Sequence, residues 1–538
     1  MKKAKIAILL CAAMTMSLAA GAVTTYAEET SAKVLNIGWP YEPSTLDPAR
    51  AVEDASYRIL RMTGEALLRN VENEAEPGCA ESYEVTDDHM EYVFHLREDN
   101  AFSDGTPITA NDFKYTLERL LNAEGAYEGA STGYIIKNAE KYYNGECDIS
   151  ELGIEVVDDY TLKLTLEYPT YPITFTNWAF IPVSEAKSDE LGVSYGAEAE
   201  NMLTNGPFTV ASWVHDSEVV LEKNPNYWNA DAVNLDQIVC KLNAKGDTAV
   251  DMLLAGELDM ANMDSQMQAD TLTSSGFIAE MINNGLEELH INHTGKTEET
   301  GLFLSNTNFR KALNYAIDRD ALVAAAYTTD QATTRFISST EAGVEGTFQE
   351  EYPYEGWTTS ADAEKAQECL NAALEELGKT ADEIPTFTMM CYDSNTNMIA
   401  LNAIMDMWNK TLGINCEIDA QPIQNMIQKA YAGDYDFWKG AIATSTIDAL
   451  DLFNYYTTSD GMFNYSNEEY DSLYNATRDA VTWQERKDNM FELEQLFCEE
   501  VVDLVITWPG EYVVYSENVT GATMDMVSVD VTFADITE

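Results

Sequence analysis

Apolar residues recur along this chain in two rhythms, at every second position over short runs and at every third or fourth over longer ones, the periods of strands and of amphipathic helices. Alternation marks strands at 34–39, 92–97 and 286–292 and a strand pair across 154–166. Two further β-rich runs, 208–214 and 218–222, are joined by the polar step His215-Asp216-Ser217. Asn205-Gly206-Pro207 is a turn signal ahead of that hairpin, and Asn224-Pro225 ends it because proline has no amide to donate. One helical stripe runs through Phe113, Leu117, Leu120 and Leu121, another through Phe309, Leu313, Ala316 and Ile317, and a third through Met490, Leu493, Leu496 and Phe497. Thr109 with Asp112, and Thr482 with Glu485, have the spacing by which a hydroxyl and a carboxylate satisfy the free amides of a helix start, and Asp318 can cap a short helix. Helices are also predicted over 55–68 and over 247–259, the latter with Val250, Leu253 and Leu254 on its buried face and Gly256 at its end. Strand 386–392, helix 395–412 and strand 414–418 form a β-α-β unit, which implies a parallel sheet, and 503–508 is one more strand.

These elements make a mixed α/β chain of 538 residues, long enough for about two to four compact units. With 92 acidic against 31 basic residues, the formal net charge is −61. So negative a surface repels phosphate backbones and anionic lipid, which excludes nucleic acid as a partner; spread acidic side chains read as solvation of an abundant exported protein. Residues 1–27 have the pattern of a secretory signal peptide: Lys2, Lys3 and Lys5, an apolar run, then Thr25-Tyr26-Ala27 as a cleavage site. No later stretch approaches the ~20 apolar residues of a membrane span.

Residues that could carry chemistry are sparse. Gly129-Ala130-Ser131-Thr132-Gly133 has the letters of a nucleophile elbow, but a helix and a loop precede it where a strand is needed, so it reads as a flexible loop. A secreted serine hydrolase using Ser131 is the competing class. His290 and His293, three apart on a strand, face opposite ways and cannot clamp one metal, and no phosphate-binding loop is present. Beyond the leader the cysteines are odd in number and widely spaced without Cys-x-x-Cys, which reads as buried small hydrophobes; Cys391 and Cys416 are the one pair worth testing for a bridge. No cofactor, metal or catalytic residue is expected.

Four separated motifs in order resemble the extracytoplasmic peptide-binding receptors of ABC importers, over roughly residues 34–520. They are the opening strand followed by Leu46-Asp47-Pro48, the run from Phe102-Ser103-Asp104-Gly105 to Phe113, the segment from Asn205-Gly206-Pro207-Phe208 to Trp228, and Asn308-Phe309-Arg310 through Asp318-Arg319. The resemblance implies a two-lobed, periplasmic-binding-protein-like α/β fold with mixed sheets and a smaller third subdomain. Lobe I would comprise 28–75, 191–285 and 509–538, the insert 76–190, and lobe II 286–508. It also implies a monomer that captures a peptide or small solute between the lobes, outside the cytoplasmic membrane in the periplasm or cell envelope, and delivers it to an ABC permease without changing it. Receptors of this kind are often lipid-anchored through a cysteine just after the apolar run; Cys11 lies inside that run with no small residue before it, which favours a freely exported protein.

By the same resemblance, one wall of the site falls at Val52, Glu53 and Asp54. The other falls at Ile442, Ala443, Thr444, Ser445 and Asp448. Ile442 stands where such receptors carry tryptophan, and Ser445 where they carry the aspartate that binds the peptide's ammonium group. A buried ammonium without that partner forfeits a charge-assisted bond. Either Asp448, Asp451, Glu53 or Asp54 takes over, or the ligand lacks a free amino terminus and is a sugar, a nickel complex or another solute.

Overall fold

Val34–Gly38 is a strand with Leu35 and Ile37 buried beneath it, in a computed structural model that describes residues 32–537 apart from 72, 73, 264, 284, 328, 340, 355, 443–447, 460–462 and 525–528. The expected signal peptide, with Cys11, lies outside the described residues. Val34–Gly38 sits inside a seven-stranded mixed sheet, parallel to Gln237–Lys241 on one side and to Met260–Met263 on the other. The predicted hairpin forms as Phe208–Val214 against Glu218–Lys223, antiparallel with Val210 opposite Leu221, and completes one edge of this sheet. Its lead-in turn is fastened from both sides: Asn205 Nδ2 donates to Glu65 O, Asn224 Nδ2 donates to Gly206 O, and a Cβ on Gly206 would lie 2.6 Å from the Gly64 nitrogen. Only glycine permits that approach.

A second, six-stranded sheet takes all its strands from between Leu286 and Trp508. Within it Phe387–Tyr392 and Cys416–Gln421 run parallel, linked by the helix Asn395–Leu412, as the β-α-β pattern predicts. Trp408 on that helix is fully buried and donates Nε1–H to Leu313 O at 3.1 Å. A third sheet of four antiparallel strands, Ala80–Val85, Glu91–Leu96, Thr161–Thr165 and Ile154–Asp158, shares a separate core with the helix Ala110–Leu120. That helix opens on the Thr109/Asp112 capping box and buries Phe113, Leu117, Leu120 and Leu121.

The structure departs from the local pattern in four places. The helix predicted over 55–68 is Asp54–Thr63; residues 66 and 67 accept from the amides of Cys79 and Ala80, and Leu68–Val71 is a strand. Leu254 ends the helix Gly246–Leu254 half-exposed at 49%, while Val250 and Leu253 are buried. The strand after the β-α-β helix starts at Cys416, two residues later than predicted. The Ser131 segment, expected as a loop, is the 3-10 helix Ala130–Ile135, whose preceding Gly129 amide donates to Ala49 O.

The chain passes between the two large sheets twice, side by side. Ile278–Asn283 belongs to the first sheet and Leu286–Ile291 to the second; Leu504–Trp508 belongs to the second and Gly510–Tyr515 to the first. Asn283 pairs opposite Gly510 and Glu287 opposite Thr507, so both passages break at one level, at Gly285 (φ +93°) and Pro509. Just inside the second sheet these strands bury Glu288, His290 and Asp503, with no side-chain exposure. His290 Nδ1 donates to Asp503 Oδ2 over 2.6 Å, Ile291 N–H donates to Asp503 Oδ1, and the Tyr456 hydroxyl lies 2.9 Å from Glu288 Oε2 and 2.7 Å from Asp503 Oδ2. Phe463 stacks on the imidazole at 4.3 Å.

Burial, reinforced by the Asp503 charge, pushes the Glu288 carboxyl up to about 8, and burial pulls His290 down to about 4. Glu288 therefore contributes stability that is complete below the unfolded value of 4.5 and is lost as pH rises through 8. His290 acts oppositely, its contribution complete above 6.5 and lost as pH falls through 4. Glu288→Gln keeps a neutral group of the same shape, so between about pH 6.5 and 8.5 the native protein should lose about 1–2 kcal/mol more stability than the variant, read from urea unfolding at both pH values. Equal losses would show that Glu288 does not titrate in this window.

Candidate functional site

Side chains from both sides of the crossing strands and from the insert line a cavity of about 900 Å³, near the upper end of the range for small-ligand sites. Three parts of the chain build it. The helix Asp54–Thr63 and the strand after it supply Tyr57, Arg61 and Arg69. The insert contributes the 3-10 helix bearing Ser131 and Tyr134, and the segment Tyr168-Pro169-Thr170-Tyr171-Pro172, where prolines hold the chain out of the sheet and present two phenol rings. The far wall comes from Asp448 and Asp451 at the start of the helix Leu450–Asn454, Tyr474 and Arg478 on Glu468–Arg478, and Trp483 and Arg486 on Trp483–Glu500.

Three of the acids lining this cavity, Asp448, Glu65 and Asp530, are paired with its arginines. Arg486 Nε donates to Asp448 Oδ2 at 2.7 Å, its Nη2 lies 2.5 Å from the same oxygen, and Leu450 N–H donates to Asp448 Oδ1. Burial raises the Asp448 carboxyl, but Arg486 and Lys487 outweigh it and leave the group below the usual carboxylate range. Deeper in, Arg69 bridges Glu65 at 3.1 Å and Asp530 at 2.9 Å, and Arg61 stands 3.6 Å from Asp530. Aromatic contacts span the opening: Tyr171 meets Trp483 edge-on at 4.5 Å, and the guanidiniums of Arg478 and Arg486 lie 5.7 and 5.8 Å from the rings of Tyr168 and Tyr171.

Of the sequence-predicted wall residues, Asp448 lines the cavity, and so does Asp451. Val52, Glu53 and Asp54 lie one turn before the lining residues Tyr57 and Arg61 and have structural partners. Glu53 is the helix N-cap, accepting from the amides of Ser56 and Ser44 at 2.8 and 2.9 Å, and Asp54 accepts from Arg58, which also reaches Glu511. Val52 is 54% exposed. Ile442 ends the strand Phe437–Ile442 opposite Leu286. Ala443, Thr444 and Ser445 lie outside the described residues. The aromatic lining of both walls is the part that sequence reasoning missed; the paired prolines around Tyr171 were its available signal.

Ser131 lines the cavity. Each histidine is bonded elsewhere: His89 to Tyr92, His95 to Glu84, His215 to Glu42, His290 to Asp503 and His293 to the Val502 carbonyl. Glu288, His290 and Asp503 are ligand-type groups brought together in the core. At 2.6 Å, however, the His290–Asp503 contact is closer than two ligands of one ion with bonds of about 2.1 Å, so it is a hydrogen bond. Cys391 and Cys416 are free thiols; Cys391 lies opposite Ala420 and Cys416 opposite Phe387.

Two sheets joined by paired crossing strands, an inserted third sheet, and a ligand-sized cavity lined by all three parts of the chain define the two-lobed, periplasmic-binding-protein-like class of fold. Residues 74–464 match the family described as bacterial extracellular solute-binding proteins, family 5 Middle, and the chain belongs to that family. It is 28% identical over 504 residues to the oligopeptide-binding protein OppA of Bacillus subtilis (strain 168), covering 91% of this chain and 90% of that protein. It is 25% identical over 518 residues to the dipeptide-binding protein DppE of the same organism, covering 95% and 93%. A solved substrate-binding domain of an oligopeptide ABC transporter from Bacillus anthracis str. Ames superposes with a TM-score of 0.77 at 26% identity, over 94% of this chain and 99% of that one. Among the described residues, no helix is long and apolar enough to cross a membrane.

With side-chain exposures of 8% and 17%, Arg486 and Asp448 form a pair shielded enough that removing one partner strands the other. Arg486→Leu should cost about 3 kcal/mol in urea unfolding, and Arg486→Lys less, because one ammonium replaces the two-pronged contact. A cost under about 1 kcal/mol for Arg486→Leu would show that the pair is effectively solvated.

Proposed function

We propose that this protein is the substrate-binding receptor of an ABC importer, exported through the leader at residues 1–27, and that it carries peptides as a monomer without changing them. The observation that carries this reading is the composition of the cleft: one cavity is lined by side chains from both sides of the crossing strands and from the insert, so a ligand inside touches all three at once. Contacts to both lobes favour the closed arrangement, and closure signals occupancy to a permease. Peptide as cargo is supported by the relatives named for oligopeptide and dipeptide binding. A passive carrier is supported by Ser131, whose hydroxyl has no histidine to deprotonate it.

Adding a mixed tri- to pentapeptide library should quench or shift tryptophan fluorescence, since Trp178 and Trp483 line the cleft, and should reduce the radius of gyration in small-angle scattering. Saturable binding at constant radius would rule out closure, and labelling of Ser131 by a fluorophosphonate would favour the hydrolase.

In the wild-type cleft the carboxylate of Asp448 is committed to Arg486, so no ready partner awaits a ligand ammonium there. Ser445→Asp should restore one, raising affinity for a free-amino tripeptide by about tenfold over its acetylated form. No gain in calorimetry would mean that Ser445 does not face the ligand's amino end.

A further inference from the structure

The cleft's own surface indicates what kind of peptide it holds. Tyr134, Tyr168, Tyr171 and Trp178 line the insert side, and Tyr474 and Trp483 line the opposite wall. Rings therefore face the cavity from both directions, and they already pack on rings: Tyr57 stacks on Trp178 with centroids 3.6 Å apart, and Tyr171 meets Trp483 across the opening. Burial pushes the phenols of Tyr134 and Tyr171 up to about 12, so both are neutral donors with apolar faces at any physiological pH. The Tyr171 hydroxyl has no hydrogen-bond partner.

The charges point the same way. In a chain of net −61, the described lining residues include five basic and six acidic side chains, so neither sign prevails. Asp448 is bonded to Arg486, and Arg69 to Glu65 and Asp530. A ligand ammonium seeking Asp448 must first displace a guanidinium that holds the same oxygen through two nitrogens. An aromatic side chain has no ion pair to displace and finds rings for stacked or edge-on contact on either wall.

We infer that the cleft selects peptides by their aromatic side chains and gains little from a free amino terminus. This rests on the peptide reading above and adds the class of peptide. Tyr171 is the specificity-determining ring, because among the described residues it is the insert ring that packs edge-on against a ring of the far wall.

Calorimetry with three pentapeptides tests it: Ala-Ala-Trp-Ala-Ala, Ala-Ala-Leu-Ala-Ala and N-acetylated Ala-Ala-Trp-Ala-Ala. The tryptophan peptide should bind at least about tenfold tighter than the leucine peptide, and acetylation should change its affinity by less than about threefold. Tyr171→Ala should cut the tryptophan-to-leucine ratio to about threefold or below, whereas Tyr171→Phe, which keeps the ring, should retain most of it. Equal affinity for the two side chains, or a tenfold loss on acetylation, would overturn the inference and leave the peptide reading standing. Binding of none of the three peptides, with or without uptake of cellopentaose, would overturn the peptide reading and the inference together.

Discussion

The hydrogen-bonded group of Glu288, His290, Tyr456 and Asp503 ties together the two strands by which the chain changes sheets. Residues more than two hundred positions apart meet there, fully shielded from water. Buried titratable groups are tolerated only when they neutralise or bond one another, and here burial does both, holding Glu288 protonated and His290 uncharged at neutral pH. Because both passages run through this one place, the geometry of the cleft on either side depends on it. The break itself is simple: a glycine with positive φ on one passage and a proline on the other interrupt both ladders at one level, which is where a two-strand link can bend.

The second constraint is charge. A chain with three acidic residues for each basic one still has to fill several hydrophobic cores, and it places many of its few cations on buried acids. Arg119 grips Asp47 with both terminal nitrogens, Arg335 grips Glu494, Lys487 meets Glu341 at 2.6 Å, and Arg69 joins Asp530 near the chain's end to Glu65 near its start. Such pairs add little net stability over apolar packing, but breaking one is costly, so they act as registers that fix which segment meets which. The cleft is built on the same plan. Asp448, Glu65 and Asp530 in its lining are already matched to arginines, and aromatic rings line it from both walls.

Much of the scaffold was legible in the amino-acid order because it depends on a few adjacent residues. Thr109 and Asp112 cap their helix because the donors they satisfy lie within one turn, and Thr482 accepts from the Glu485 amide for the same reason. The hairpin at 208–223 and the parallel unit around Asn395–Leu412 follow from side-chain period alone. Asp448 was placed in the second wall by the resemblance to peptide receptors, and it lines the cavity. The local pattern missed the end of the first helix, since nothing between Gly64 and Leu68 announces that residues 66 and 67 will bond to Cys79 and Ala80.

Local order therefore determined the elements, their caps, the buried stripes and the family to which the chain belongs, all of which rest on contacts short in sequence. Tertiary structure alone decided the roles of the charged and aromatic side chains. Glu53 and Asp54 could have faced a ligand, yet one caps a helix and the other holds Arg58; Asp448 could have been free, yet Arg486 reaches it from 38 residues away. An acid's meaning is set by which cation the fold delivers to it, and that delivery is made by burial of apolar surface elsewhere, which carries no mark at the acid itself.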